Sequence, residues 1–320
     1  MNTSLGKAII EPVERDLIVS ELTKDRFVRN SSKGGYEIYI VNAHNAPHTL
    51  REIGRLRELA FRASGGGTGE ALDIDDYDLS DNCYQQLIVF DQNEKEVVGG
   101  YRYIYCLDVI SPQQSSIPLS TAHYFHFSDT FRKEYLPYTI ELGRSWVQPK
   151  YQPSVDPRRG IFALFSLWDG LGALVKIYPE SKYFFGKVTM YPDYNSEARD
   201  LLLAFMHHYF PDPDDLVQPI HPLAFNDHQL LLEQEFNLPF KEGIKLLKKK
   251  LKELGESIPP LINLYMGLSD TMKTFGTALN SDFGDVEETG ILVTMKDIYE
   301  NSRSRHIDTF ELPPDFTLTV

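Results

Sequence analysis

The sequence predicts an α/β fold, a mixed, twisted sheet with helices on both faces. Three observations carry this. Runs rich in β-branched and aromatic residues recur at 36–41, 83–90, 96–106, 140–147 and 183–191. Helix-period stretches separate or follow them, at 49–60, 161–171, 196–208 and 241–255. The order is strands, helix, central strands, helix, strand, helix, then more strands, and no internal repeat or low-complexity tract interrupts it.

Residues 1 to about 34 are polar and end in Asn30-Ser31-Ser32-Lys33-Gly34-Gly35, a turn signal closing a lead-in with a short strand or helix. Tyr36–Val41 alternates and is the first full strand expected. A helix follows from His48. Thr49 as N-cap and Glu52 three residues on form a capping box, and Leu50, Ile53, Leu56, Leu59 and Ala60 make its apolar face. Ser64–Gly69 is glycine-rich. It lacks the strand–loop–helix order and the lysine of a phosphate loop, so it reads better as a mobile lid or linker. Asp73–Asp78 reads as a solvated acidic turn, with an oxygen-ligand metal site as a second option, and it lacks the spacing of a calcium loop.

Cys83–Phe90 and Glu96–Cys106 read as a hairpin turned at Asp91-Gln92-Asn93. Gly99-Gly100 inside it signals a bulge or a close backbone approach. Residues 110–137 look irregular, with a helix-like patch at Phe131–Tyr135. The central strand is Ile140–Val147. A proline-bearing loop and Arg158-Arg159-Gly160 lead into an all-round apolar, hence buried, helix at 161–171. That layout offers loop amides and a helix N-terminus to an anion. Tyr183–Tyr191 is a strand, and Ser196 opens a helix through His207-His208, which cannot share one helix face as metal ligands. Over 241–255, six lysines against two glutamates leave +4. This is either a solvated helix face or a docking site for an acidic partner or an anionic membrane surface. A short helix at 261–268 and strands at 272–279 and 290–295 close the fold. Residues 1–35 form an N-terminal extension in this reading, 36–300 the main domain and 301–320 a tail.

Composition sets outer limits. The 320 residues are 42% hydrophobic and 12% aromatic, enough for a sizeable core, and net charge is −14. That balance argues against a nucleic-acid partner. Two cysteines, Cys83 and Cys106, give no disulfide framework and suit a reducing compartment. The first residues lack a signal-peptide core. No uncharged apolar run reaches the roughly 18 residues of a membrane span. The expected location is cytoplasmic, compatible with peripheral contact at the inner membrane.

No nucleophile elbow, zinc signature or dinucleotide fingerprint is present, and no metal is expected at the site. What remains is a set of charges: Arg57, Asp75, Asp78, Arg102, Glu141 and Arg144. Three of them, Arg102, Glu141 and Arg144, lie inside apolar strands, where a charge is costly unless it pairs or lines a site. Glu141 and Arg144 are read two ways, as an ion pair fixing strand register or as the centre of a catalytic cleft.

The ordered set Arg57-x-x-x-Phe61, Asp75-x-x-Asp78, Val98-Gly99-x-x-Arg102 and Glu141-x-x-Arg144 resembles the acyl-homoserine-lactone synthases, which have a GNAT-like acyltransferase fold. The closer resemblance is to the bacterial ornithine-lipid and glycine-lipid N-acyltransferases, the haemolysin-like family. It rests on Glu141-Leu142-Gly143-Arg144-Ser145, Leu167-Trp168-x-Gly170, Tyr183-x-Phe185-Gly186, Pro259-Pro260-Leu261-Ile262-x-x-Tyr265-x-x-Leu268 and Asp282-Phe283-Gly284, and covers roughly residues 50–297.

The resemblance implies transfer of a 3-hydroxyacyl chain from acyl carrier protein, as its 4′-phosphopantetheine thioester, to the α-amine of an amino acid such as glycine or ornithine, in aminolipid synthesis. It implies no bound cofactor. Glu141 would be the base, and Arg102 and Arg144 would hold the acceptor carboxylate or fix the acids. Arg57, Phe61, Asp75, Asp78 and Trp146 would form the substrate site. Strand amides near Gly99-Gly100 would meet the oxyanion. Arg158, Arg159 and Gly160 would take the phosphopantetheine phosphate, and Lys248 and Lys249 would face the carrier protein. An acyl-CoA donor and a non-catalytic GNAT-shaped module are the alternatives. Two departures stand out: the pyrophosphate loop is degraded around Arg159-Gly160, and Gly65–Gly69 replaces the usual aromatic-bearing segment.

Overall fold

A computed structural model describes residues 6–111, 117–314 and 316. The elements are α1 (Arg15–Glu21), β1 (Phe27–Asn30), β2 (Glu37–Val41), α2 (Pro47–Ala63), α3 (Asp76–Leu79), β3 (Gln85–Asp91), β4 (Glu96–Tyr105), β5 (Phe125–Phe127), β6 (Thr139–Val147), α4 (Pro157–Ile177), β7 (Tyr183–Met190), α5 (Ser196–Tyr209), β8 (Val217–Pro219), α6 (Gln229–Glu235), α7 (Phe240–Glu253), α8 (Pro260–Met266), β9 (Lys273–Asn280), β10 (Val286–Thr294) and α9 (Glu300–His306). Eight strands form one sheet in the order β1-β2-β3-β4-β6-β7-β10-β9. Every neighbouring pair is antiparallel except β6–β7, which is parallel and needs the α4 crossover. β5 and β8 make a separate two-stranded ribbon.

Helices cover both faces, as the sequence predicts. On one face Leu87, Tyr103, Leu142 and Phe184 pack with Leu167, Leu171 and Leu174 of α4 and with α5. Each of those leucines is essentially excluded from water, worth about 2 kcal/mol of hydrophobic transfer. α4 is long and apolar enough to cross a membrane by composition, but here it is the core helix against this face. On the other face Ile88, Phe90 and Trp146 meet α1 and α2, and Phe185, Phe275 and Leu292 meet the ribbon.

The ends are not appendages. β1 is the edge strand of the sheet, paired with β2, so residues read as an extension belong to the core. α9 docks on α4 through His306 Nδ1, 2.8 Å from the buried Asp169 Oδ1. Residues 1–5 of the predicted extension, and 315 and 317–320 of the predicted tail, lie outside the described residues.

The capping box at Thr49–Glu52 does not form. Ala46 is the N-cap of α2, and Glu21, from the last turn of α1, accepts the backbone N–H groups of His48 (2.9 Å) and Thr49 (2.7 Å). An acid from the neighbouring helix meets the positive helix end instead. The Gly99-Gly100 signal does hold. The ladders change register on both sides of it, and an added Cβ on Gly99 would stand 2.5 Å from the Trp146 carbonyl oxygen.

Candidate active site

β6 and β7 pair only from Thr139–Tyr183 to Leu142–Gly186. Beyond that point β6 stays with β4, and β7 with β10. The two parallel strands therefore diverge into a wedge at Gly143 and Lys187, with facing edges no longer paired to each other. Such an edge can take an extended ligand through its backbone groups. A cavity of about 310 Å³ fills the wedge. Its walls come from both sides of the sheet: Gly143 to Val147 of β6, Lys187 and Thr189 of β7, Leu164, Leu167 and Trp168 of α4, Leu261 and Leu264 of α8, and Phe61 of α2. A second cavity of about 320 Å³ is polar and lies towards α3 and β9, with Asp75, Tyr77, His123, Asn280 and Asp282 in its wall. The two share Arg102, Ser120, Arg144, Lys187 and Phe283.

A bulge turns Arg144 into this junction. Gly100 opposes Trp146 and Arg102 opposes Gly143, so β6 carries one residue more than β4 between them. Arg144 sits there with φ of 46°, in the left-handed region that costs a non-glycine residue about 1–2 kcal/mol. Its Nε donates to both carboxylate oxygens of Asp73 (3.2 and 2.9 Å), and its guanidinium lies 4.5 Å from the Phe283 ring centroid.

With Arg57 and Arg102 behind it, Arg144 completes a set of three arginines that meet three aspartates. Arg57 Nε donates to Asp73 at 2.9 Å, and its Nη groups donate to Asp78 at 3.3 Å. Arg102 Nη1 donates to both oxygens of Asp75 at 2.7 Å and to Asp78 at 3.3 Å. Asp75 and Asp78 form a capping box on α3. Burial alone would push the Asp73 carboxyl up, but Arg144 and Arg57 hold it well below the usual carboxylate range. Burial likewise opposes ionisation of Asp78, and Arg57 and Arg102 prevail. The acidic turn is thus an internal counterion set. Of the predicted substrate residues, Phe61, Asp75 and Trp146 reach a cavity wall. Arg57 and Asp78 are fully buried and hold other residues rather than ligand: Arg57 pairs with Asp73 and Asp78, and Asp78 with Arg57 and Arg102.

Glu141 and Arg144 are not partners. Glu141 is buried, and its carboxylate accepts from the Tyr84 hydroxyl, from Ser120 Oγ at 3.1 Å and from the Thr121 backbone N–H at 2.9 Å. Burial and the Glu141 charge push the Tyr84 hydroxyl far up, so it stays a donor. Glu141 lines neither of these two cavities; Ser120, its hydrogen-bond partner, lines both.

The expected phosphate site at Arg158, Arg159 and Gly160 is already occupied by protein carboxylates. Asp156 caps α4 and accepts the Arg158 and Arg159 backbone N–H groups, both at 3.0 Å. The Arg159 guanidinium pairs with Glu94 at 3.5 Å, and Gly160 lets the helix pack on Pro153. None of the three lines either cavity. The Gly65–Gly69 loop is tied down: buried Glu58 accepts the N–H groups of Thr68 (3.0 Å) and Gly69 (2.8 Å). Lys248 and Lys249 stand exposed on α7, whose chain continues into the cavity-lining α8.

Sequence reasoning missed Asp73, Ser120, Tyr84, Lys187 and Glu288. Lys187 and Glu288 are an almost fully enclosed ion pair in the wedge. Both are charges in apolar strands, the signal that flagged Arg102.

A protein-family model described as an acetyltransferase (GNAT) domain matches residues 56–157. The chain is 52% identical over 309 residues to a protein of Bacteroides thetaiotaomicron named glycine N(alpha)-acyltransferase, spanning 96% of this chain and 92% of the relative. It is 49% identical over 303 residues to a protein of the same name from Phocaeicola vulgatus, spanning 94% of this chain and 93% of that one.

Proposed function

This chain belongs to the family of those two proteins and is an acyltransferase of GNAT fold, and from that premise we propose that it moves a 3-hydroxyacyl chain from acyl carrier protein to the α-amine of glycine. The observation that carries the reading is the wedge, where an apolar cavity and a charge-lined cavity meet at unpaired strand edges. The acyl chain lies along Leu164, Trp168, Leu261 and Leu264, and the pantetheine arm runs between β6 and β7. The amino acid enters from the polar side. Its amine nitrogen attacks the thioester carbonyl carbon. A C–N bond forms, the C–S bond breaks, and the thiolate leaves to take up a proton. Unpaired amides of β6 beyond Leu142 face the oxyanion. The amine gives up its proton towards Glu141 through the Ser120 hydroxyl, which bridges carboxylate and cavity.

The exposed lysine face of α7 supports a carrier-protein donor, since residues 241–255 carry +4 in a chain whose net charge is −14. The ordered motifs that resemble the glycine-lipid enzymes support a haemolysin-like, aminolipid role. An amphiphilic product fits work in the cytoplasm against the inner membrane. The test incubates purified protein with 3-hydroxyacyl carrier protein or the matching acyl-CoA, and with glycine or ornithine, and seeks N-acyl products by mass spectrometry. N-acylglycine formed faster from the carrier is expected. No product with any acceptor while the donor stays intact would sink the reading, and a preference for acyl-CoA would overturn the carrier assignment.

A further inference from the structure

We propose that Lys187 and Glu288 are the acceptor-recognition pair, an ion pair that opens to take the two charges of an α-amino acid. This rests on the N-acyltransferase reading above. Strand register brings the two together. Thr189 of β7 opposes Glu288 of β10, and Lys187, two residues from Thr189, lies on the same face. Both side chains are in the wall of the wedge cavity, and Lys187 is also in the wall of the polar one, so the pair stands where donor and acceptor must meet.

An enclosed ion pair gives a fold little net stability, because desolvation consumes most of the attraction. The surroundings give it a use. On the Lys187 side, Arg144 spends its Nε on Asp73 while its Nη2 is 3.7 Å from Asp75, leaving a guanidinium edge towards the shared cavity wall. Two cations thus converge where a carboxylate would sit. Burial pulls the Lys187 ammonium below its usual range, and although Glu288 opposes this, the Arg144 charge adds to it, so a further anion would be welcome. On the acid side, the buried Asn280 Oδ1 in the polar cavity has no hydrogen-bond partner among the described residues. It is an acceptor waiting for a donor such as an ammonium.

An α-amino acid carries its ammonium and carboxylate on one carbon, and Lys187 and Glu288 touch each other. A compact zwitterion can therefore insert between them. Lys187 then binds the carboxylate and Glu288 the ammonium, and no buried charge is left alone. An amine without a carboxylate would strand Lys187. The pair therefore selects α-amino acids over simple amines.

The experiment measures initial rates of the full chain with glycine and with glycinamide, which keeps the amine and lacks the carboxylate. Wild type should strongly favour glycine. Lys187→Met should raise the KM for glycine about 10- to 100-fold, the loss expected for a hydrogen bond to a charged group. It should also bring the glycine-to-glycinamide preference towards one, with the KM for the thioester within about threefold of wild type. Lys187→Met strands Glu288 and risks misfolding. The double variant Lys187→Met, Glu288→Gln removes both charges at nearly constant volume and should show the same lost preference. An active wild type whose variants keep its KM for glycine and its preference overturns the proposal. So does a fall in kcat alone. A wild type that makes no N-acyl product overturns the acyltransfer reading itself, and the proposal with it.

Discussion

Arg57→Met tests the claim that the arginine–aspartate network is a support whose members must stay paired. Methionine keeps much of the volume and removes the charge. Arg57 Nε stands 2.9 Å from Asp73, its Nη2 stands 3.3 Å from Asp78, and all three side chains are fully buried. Removing one partner of a buried pair costs about 3–5 kcal/mol. Unfolding entropy of ~2.1 cal/mol/K per residue is about 0.67 kcal/mol/K for this length, so Tm should fall by about 4–8 °C. The loss should depend on pH with a definite sign. In the wild type Asp73 and Asp78 have folded pKa values below the ordinary one. Their contribution is therefore present above the unfolded value of about 3.9 and is lost only as pH falls through the folded values. Without Arg57, Asp73 keeps Arg144 and Asp78 keeps Arg102, so burial is opposed less and both carboxyls rise from their wild-type values. The cost is full at pH 7–8 and shrinks as acid protonates them. Calorimetry at pH 7 and pH 3 should show a wider gap between wild type and variant at pH 7. Adding Asp78→Asn should recover part of the loss. A gap under about 2 °C, or one equal at both pH values, would refute a support role for these charges.

Two further outcomes follow from the cavity and its approach. Leu264→Trp fills part of the apolar wall. A donor series of increasing chain length should show kcat/KM falling about fourfold for each methylene that no longer fits, with short donors spared; an unchanged chain preference would remove the acyl chain from this cavity. Reversing Lys248, Lys249 and Lys252 to glutamate should raise the KM for acyl carrier protein about tenfold at low salt and leave acyl-CoA turnover unchanged, and an unchanged carrier KM would detach α7 from docking.

Much of the site was legible because one rule is local: a charge inside an apolar strand needs a reason. Arg102, Glu141 and Arg144 were found that way. The same rule, applied to Tyr183–Tyr191 and to Val286–Thr294, points to Lys187 and Glu288. Glu288 escapes the rule because the apolar run of the closing strand begins at Gly290, two residues after it. Asp73 escaped because Asp75 and Asp78 carried the spacing. What no local rule supplies is the pairing. Residues three apart in a regular strand point to opposite faces. The extra residue in β6 carries Trp146 round to the face of Glu141 and aims Arg144 at Asp73, across 71 residues of chain. The parallel partner of β6 arrives only after a 21-residue helix, so the wedge also depends on a non-local pairing that stops at Leu142 and Gly186. For the same reason Arg158 and Arg159 misled. A basic pair at a helix start reads as an anion site until folding brings Glu94 beside it and Asp156 turns back to cap the helix. Strand charges announce that a site exists; register and bulge decide which of them touch the ligand and which only hold the others in place.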